Sequence, residues 1–582
     1  MVYDHMALLL VGLLLGGASA PGGAQRPPIA LRSSQPSPVS GAVVLTADVP
    51  RELGALAVQF KLNGYTLDAP GTTPPYEVVW SAASAGSGEY TVTAEARSRS
   101  GAVIASAPLR LTVANPATFN RVLYVDGASG DDGKDGASPA TAWRTLEKAN
   151  HSIVAGDTVL LRGTFTGQSI RPAVSGTSAK PITFKSHPGQ TAVLEGGRSG
   201  VAVWLGARSY IVVEQLRIRN VPGTAVMLDA AHHNVVRACQ IANIANASSW
   251  GSAIRITRSS DNLVERNEIN DVGPLTADSG DSLWIDNGSS RNRILGNTLR
   301  NAGHSLIMIG GDRPGEAEVG DNVVAGNTLS NPHGTLIGLS WVARRTLVER
   351  NRLSEANRNG TNRTATGIQI MSRDNVIRYN EFLDNATTGI SLLGYVYSSG
   401  IAQDAIGNQI YHNVFYGGGN AAIWIFEKNG RSVRDNLIAS NIFFRNAGFA
   451  SGDKRYMIAI EHFHNPTAWP EGSLNGNRFA NNIVLRQPGT AGEPMLLRIR
   501  NPGQGGNLTY TLAQLQETHR EATDNLEVDP QFTDEAKHIF TLRPSSPAVD
   551  RGLHIPGVGY HGSAPDIGAF EVDLPRRSSA KP

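Results

Sequence analysis

The segments Asn262–Ile269 (NLVERNEI), Asn292–Leu299 (NRILGNTL), Asn322–Leu329 (NVVAGNTL) and Asn375–Phe382 (NVIRYNEF) repeat one pattern, N-h-x-x-x-N-x-h, where h is apolar. Five further copies lie at 234–241, 346–353, 408–415, 436–443 and 477–484. Their second polar column reads Cys239, Asn267, Asn297, Asn327, Asn351, Asn380, Asn413, Asn441 and Asn482, with spacings of 24 to 41 residues. That is the period of a solenoid coil with loops of variable length. Between copies lies one more short apolar run, such as SAIRI, SLWID, SLIMI, TGIQI or AAIWI, so each coil holds three strands. Stacked parallel strands put equivalent residues about 4.8 Å apart. A column of asparagines at a turn can then hydrogen-bond along the stack and satisfy amides that the turn leaves free. The asparagines are therefore read as scaffold, and Cys239 as a small, buried and inert substitute in their column.

Composition agrees. Of 40 asparagines, 33 fall between residues 201 and 500, and 63 Gly with 31 Pro in 582 residues disfavour helical bundles. Charged residues make up 18% and the net charge is +2, so no basic face points to nucleic acid or anionic lipid. A single cysteine rules out an internal disulfide and any thiolate metal cluster. The run Ala7–Leu15 (ALLLVGLLL), followed by small residues, reads as a signal peptide over 1–24. It implies a secreted or periplasmic protein, and no later run is long enough for a membrane span. Residues 25–37 read as a Ser/Pro-rich linker, and residues 573–582 as a disordered tail. Between them, 38–115 show alternating runs (AVVLTADV, YEVVWSA, YTVTAEARS) at about ten-residue spacing, the pattern of a small antiparallel β-sandwich. An amphipathic helix expected over Trp143–Ile153 would plug the open end of the strand stack.

Segment 38–115 resembles the bacterial immunoglobulin-like modules attached to secreted carbohydrate enzymes. Residues 121–572 carry a YVDGASGDDG cap, the asparagine coils and closing SPAVDRG and PDIGAFE segments in order. They resemble the right-handed parallel β-helix, or pectin-lyase-like, superfamily. The expected fold is thus all-β: a solenoid of three strands per coil with an asparagine ladder and a capping helix, preceded by a β-sandwich. The superfamily hosts lyases, hydrolases, epimerases and adhesins, so function rests on the site.

The resemblance implies a substrate groove on the outer face of the SLWID-type strands. Alternation sends Ile254, Ile256, Leu283, Ile285, Leu306, Met308, Ile368, Ile370, Ile390, Leu392, Ile423 and Ile425 inward. It turns Arg255, Trp284, Asp286, Gln369, Trp424, Phe426, Lys428 and Glu461 outward, mixing sugar-stacking aromatics with charges and amides. Long segments at both ends of these strands, among them 271–280, 354–366, 310–320, 395–407 and 463–476, would wall the cleft. Asp281 in GDSLWID and His304 in GHSLIMIGG should be neighbours on adjacent coils, in carboxylate to imidazole contact suited to proton transfer. They are similar to the DD and GHG elements of polygalacturonase-type glycoside hydrolases, although Gly280 stands in place of the first paired aspartate and Ser252 in place of another. An Asp/His pair that merely caps a loop is the alternative. Elimination or epimerisation of a uronate instead needs positive charge, for which Arg255, Arg258 and Lys428 are candidates, and a base, His304 or lysine; catalysis is assigned to Asp281, His304, Asp286, Arg255 and Lys428. Lys428 could equally form a surface ion pair with Glu427. Substrate binding is assigned to Trp284, Gln369, Trp424, Phe426, Glu461 and His464. Calcium is the conceivable cofactor, held by Asp229, Asp286 and Glu461, while EHFHN (Glu461 to Asn465) is a weaker zinc candidate. The expected partner is a polysaccharide bound by a monomer, either cleaved by lyase or hydrolase chemistry or bound without turnover as a surface protein would bind it.

Overall fold

In the computed structural model, the described residues are 29–39, 42–67, 70–82, 88–98, 103–114, 120–197, 200–245, 251–274, 279–311, 313–356, 366–385, 387–396, 400–419, 421–428, 430–446, 457–463, 473–485, 497–501 and 506–572. The signal segment 1–24 and the tail 573–582 lie outside them. The chain divides into two compact units at Ala117/Thr118.

The first unit consists of antiparallel sheets. Strands Ala30–Ser33, Ala42–Asp48 and Tyr76–Ser81 form one; Ala55–Leu62, Gly88–Ser98 and three shorter strands form the other. Val43, Leu45 and Val78 are buried from the first and Val58, Phe60 and Val92 from the second, and Trp80 meets Tyr90 at a 5.3 Å ring separation. The sheet begins earlier than residue 38: Ala30–Ser33, assigned above to the linker, pairs in register with Ala42–Asp48, and Arg32 and Asp48 form an ion pair at 2.6 Å.

The second unit is a right-handed parallel β-helix. Its coils run through face 1 (for example Val235–Arg237), an asparagine turn, face 2 (Gln240–Ile244), a loop, face 3 (Ser252–Thr257) and a second turn back to face 1. Among the described residues, faces 1, 2 and 3 hold 14, 12 and 13 strands, two of those on face 3, Ala402–Gln403 and Gly506–Tyr510, pairing antiparallel. Inside, like stacks on like: Val236, Val264, Ile294, Val324, Val348, Ile377 and Ile410 form one fully buried column. In the later coils the face 2 column becomes aromatic, Phe382 lying 4.4 Å from Phe415 with nearly parallel rings. The helix starts later than expected, at Leu146–Ser152, because Thr145 caps it by accepting the Lys148 N–H, while Trp143 bridges Val125 in extended conformation. Leu146, Ala149 and Ile153 join the solenoid core, as a plug should.

At the corner between faces 1 and 2 the chain turns through one left-handed residue, for example Arg266, Gly296, Gly326, Arg350, Tyr379 and His412, each just before a column asparagine. That conformation disfavours side chains, and the asparagine compensates. Asn327 donates its backbone N–H to Asn351 Oδ1 at 2.9 Å, its amide nitrogen donates to Ile294 O at 2.9 Å, and its Oδ1 accepts the Asn297 N–H at 2.8 Å. The ladder continues to Asn525, whose N–H is taken by Gln516 of the second helix, Leu512–Thr518. A parallel ladder runs at the corner between faces 3 and 1 through Asn234, Asn262, Asn292 and Asn322, and resumes at Asn375 after Thr346.

The C-terminal segment folds back over the outside of the last coils. Phe532, Phe540, Leu542 and Ile567 pack on Leu383, Val414, Ile442, Phe444 and Ile483 of face 2. Leu553, Ile555 and Val558 cover Tyr411, Ala439 and Ala480 of face 1.

Cys239 occupies the first rung. Its N–H donates to Asn267 Oδ1 at 3.0 Å, and its sulfur lies 3.8 Å from Val213 O, where later rungs place the amide nitrogen. Burial pushes the thiol up to about 12, so it stays protonated and unreactive. Two outcomes follow, each read by urea titration. Cys239→Asn adds a rung and raises the midpoint. Asn327→Ala orphans the Asn297 N–H and the Ile294 carbonyl and lowers stability by about 2–5 kcal/mol.

Candidate functional site

Face 3 carries the outward column set by its register: Trp204, Met227, Arg255, Trp284, Met308, Gly338, Gln369, Ser391 and Trp424. Met308 belongs to this exposed side, not to the interior as expected. The strand pairs Leu283 with Ile307 and Ile285 with Ile309, so Ile307 and Ile309 fill the inward places assigned to Leu306 and Met308. Met308 leans over Gly338, where a β-carbon would fall 2.8 Å from its sulfur and push the thioether aside.

At the entry end of face 3, Asp281 and His304 meet. His304 Nδ1 lies 2.7 Å from Asp281 Oδ1, which also accepts the Ser305 N–H at 3.1 Å. The aspartate side chain is 2% exposed and the imidazole 25% exposed, so a buried carboxylate orients a ring that reaches the surface. Accepting the Nδ1 proton leaves Nε2 as the basic nitrogen, the arrangement that serves proton abstraction.

The other residues assigned to catalysis lie elsewhere. Asp286 sits five positions along the strand from Asp281, about 16 Å away at strand rise. It is buried to 1% exposure and held by Arg255 at 2.6 Å. Arg255 in turn lies over the Trp284 ring, 4.0 Å from its centroid, while the indole N–H donates to Gly310 O at 2.9 Å. Trp284 is thus not the open sugar platform expected: Arg255 covers one ring face, and Asp286 draws the guanidinium away from the Asp281 end. Arg258 is paired with Asp229. Lys428 is exposed at the end of Ala421–Lys428, four strands from His304's coil, about 19 Å by strand spacing. Its neighbour Glu427 is not a surface partner; it is buried to 1% exposure and accepts the Val433 N–H at 2.7 Å.

Further along, Gln369 is half-buried beside Ser391, and Trp424 and Phe426 are half-buried with ring centroids 5.3 Å apart. Tyr395, which sequence reasoning missed, adds a third ring at 6.3 Å from Phe426. It lies where the strand Thr388–Val396 overruns the usual length, a sign present in the unbroken run TGISLLGYV. Beside this cluster, buried Asp404 gathers Arg373, Arg431 and the Ser432 N–H, pinning the wall formed by 402–406 and 430–434. Glu461 lies opposite Phe426 on Ile458–Phe463, and His464 falls outside the described residues. The calcium donors do not converge, since Asp229 and Asp286 each face an arginine; among the described residues no three acidic, histidine or cysteine side chains group around a metal position.

Arg255→Ala leaves the Asp286 carboxylate buried without its cation. The expected loss is about 3 kcal/mol in the unfolding free energy, read by denaturant titration, and Arg255→Ala/Asp286→Leu recovers most of it.

Residues 190–329 match the family described as right handed beta helix region. The chain is 25% identical over 476 residues to the uncharacterized protein YwoF of Bacillus subtilis (strain 168), an alignment covering 75% of this chain and 94% of that protein. Among solved structures it is similar to pectate lyase Pel9A (14% identity, TM-score 0.42, 78% of this chain and 97% of that one). It is also similar to the GH136 lacto-N-biosidase from Eubacterium ramulus (16% identity, TM-score 0.34, 70% of this chain and 68% of that one). Such likenesses concern architecture: the second unit is a right-handed parallel β-helix.

Proposed function

We propose that face 3 is a polysaccharide groove and that the Asp281–His304 pair is its proton-transfer centre, making the protein a glycan-cleaving enzyme. The observation that carries this reading is the 2.7 Å contact between a buried carboxylate and a partly exposed imidazole at the mouth of a strand face. The aromatic cluster Tyr395/Trp424/Phe426 supports it as a surface for sugar rings.

Of the two cleavage chemistries, elimination fits better. Inverting hydrolysis requires two carboxyl groups about 6.5–9.5 Å apart; Asp286 stands about 16 Å along the strand from Asp281 and is committed to Arg255. In elimination, His304 Nε2 removes the proton from the carbon beside a uronate carboxylate, the electron pair left behind forms a double bond to the neighbouring carbon, and the bond from that carbon to the leaving oxygen breaks, the oxygen taking a proton from solvent water. Asp281 holds the tautomer and stabilises the imidazolium that forms. Export outside the cytoplasm is part of the same proposal and rests on the Ala7–Leu15 run. The first unit, where no three His, Cys, Asp or Glu side chains group around a metal position among the described residues, is read as a spacer.

The second reading, a non-catalytic glycan-binding solenoid, is favoured by one observation: Arg255 and Arg258 are neutralised by Asp286 and Asp229, so neither is spare to neutralise a uronate carboxylate. The two readings separate on a panel of uronic and neutral glycans. Ultraviolet absorbance that grows with time marks elimination, reducing ends without absorbance mark hydrolysis, and binding without either leaves the adhesive reading. His304→Ala and Asp281→Asn are each expected to lower turnover at least about 100-fold with the unfolding midpoint within error of wild type. Unchanged turnover in both removes the assignment.

A further inference from the structure

We propose a second glycan site at the corner between faces 1 and 2, away from the groove and independent of the reading given to it, that takes the oxyanion of an acidic sugar unit. Almost every crossing at this corner is made by one left-handed residue followed by a ladder residue, as at Gln215–Leu216 and Ala238–Cys239. The exception is the passage from Ile182–Ser186 to Val193–Glu195, where residues 187–192 form a loop. The loop is braced, not loose. Ser186 Oγ donates to Gln215 O, accepts the Ala192 N–H at 2.9 Å and closes its base; the Gln190 N–H donates to His187 O at 3.0 Å across its tip.

Overhanging the tight turns of the next two coils, this loop encloses a hollow of about 600 Å³, within the roughly 300–1,000 Å³ of small-ligand sites. Its lining carries no Trp, Tyr or Phe side chain: Lys185, His187, Gln190, Gln215, Arg217 and Gln240 supply the functional groups. The cations there are incompletely matched. Elsewhere on faces 1 and 2 arginines meet carboxylates on the neighbouring coil, as in Arg237–Glu214, Arg219–Glu195 and Arg352–Glu381. Arg217 instead directs two N–H groups at a neutral acceptor, Gln240 Oε1, at 3.2 and 3.0 Å, and no described carboxylate lies within ion-pair distance. Lys185 shares Glu214 with Arg237: it lies 3.6 Å from Oε1, while Arg237 holds Oε2 at 2.5 Å, so one carboxylate serves two cations. The remaining acid at the edge, Glu268, contacts Gln240 Nε2 at 3.4 Å.

A planar guanidinium held flat by an amide, a second cation across the hollow and three glutamines form a receptor for a carboxylate or sulfate carried on a hydroxyl-rich ring. Charge-assisted bonds hold the anion, and the amides pair with hydroxyls. The absence of a Trp, Tyr or Phe platform distinguishes this site from the Trp424/Phe426 cluster, which suits neutral ring faces.

The test uses the full chain carrying Trp424→Ala and His304→Ala, so that groove binding and turnover are silenced, with calorimetric titration of hexagalacturonate, a neutral hexasaccharide and inorganic phosphate. Hexagalacturonate is expected to bind, the neutral hexasaccharide not, and phosphate at least tenfold more weakly. Arg217→Ala and Lys185→Ala should each weaken hexagalacturonate binding by about tenfold or more; both side chains are at the surface, and an unchanged unfolding midpoint confirms the fold. Unaltered affinity in both variants, no binding of hexagalacturonate, or phosphate binding as tightly as the oligosaccharide overturns the proposal. Loss of turnover in the groove variant with binding retained here tells the two sites apart.

Discussion

Parallel strands stacked at about 4.8 Å in strict register impose the constraint on which everything else here depends: what one coil does at a position, the next must be able to do directly above it. The corner between faces 1 and 2 shows the cost and its resolution. A turn tight enough to keep register puts a residue such as Arg266, Arg350 or His412 in left-handed conformation and strands a backbone N–H beside it. A short side chain with both donor and acceptor answers this, its amide donating to and accepting from the coil below while its backbone N–H donates to the asparagine of the coil above. Asparagine is that residue, and its recurrence follows from the geometry without any role in chemistry.

Because the scaffold is repetitive, the fold was unusually legible in the sequence, and the exceptions have physical causes. The Asp281–His304 contact was anticipated from a register one residue out: Asp281 stands opposite Ser305, whose N–H it accepts, and meets His304 one position away. The Leu306/Met308 assignment failed because SLIMI is apolar at both parities, so alternation offered no phase and hydrogen bonding alone fixed it. Asp286 was misread for another reason: its partner Arg255 is 31 residues away, and which outward side chain leans toward which neighbour is decided across strands. The C-terminal wrap went unread, although its footprint is written in one column of face 2. Gln240, Glu268, Thr298, Thr328, Arg352 and Glu381 are outward and polar; Val414, Ile442 and Ile483, in the same register, are outward and apolar. The switch marks where solvent gives way to protein.

Charge on the groove face has been organised to cancel. Arg255 with Asp286 and Arg258 with Asp229 knit adjacent coils together, and the first pair also clamps Trp284. Such interlocking ties the middle of face 3 together, with the Asp281–His304 pair on one side and Gln369, leading to the aromatic cluster, on the other. In the proposed function these two groups are separate stations for one glycan.

The C-terminal wrap also sets an order in time. Coils can add one upon another as the chain emerges, each templated by its predecessor. Yet Val414, Ile442 and Phe444 cannot be covered until Phe532 through Ile567 have been made, more than eighty residues after the last of them. For that interval the newest coils present an oily flank on face 2. A chain that crosses a membrane before folding would hold this flank open until its very last residues arrive, so the wrap works as a late latch that closes only on a complete molecule.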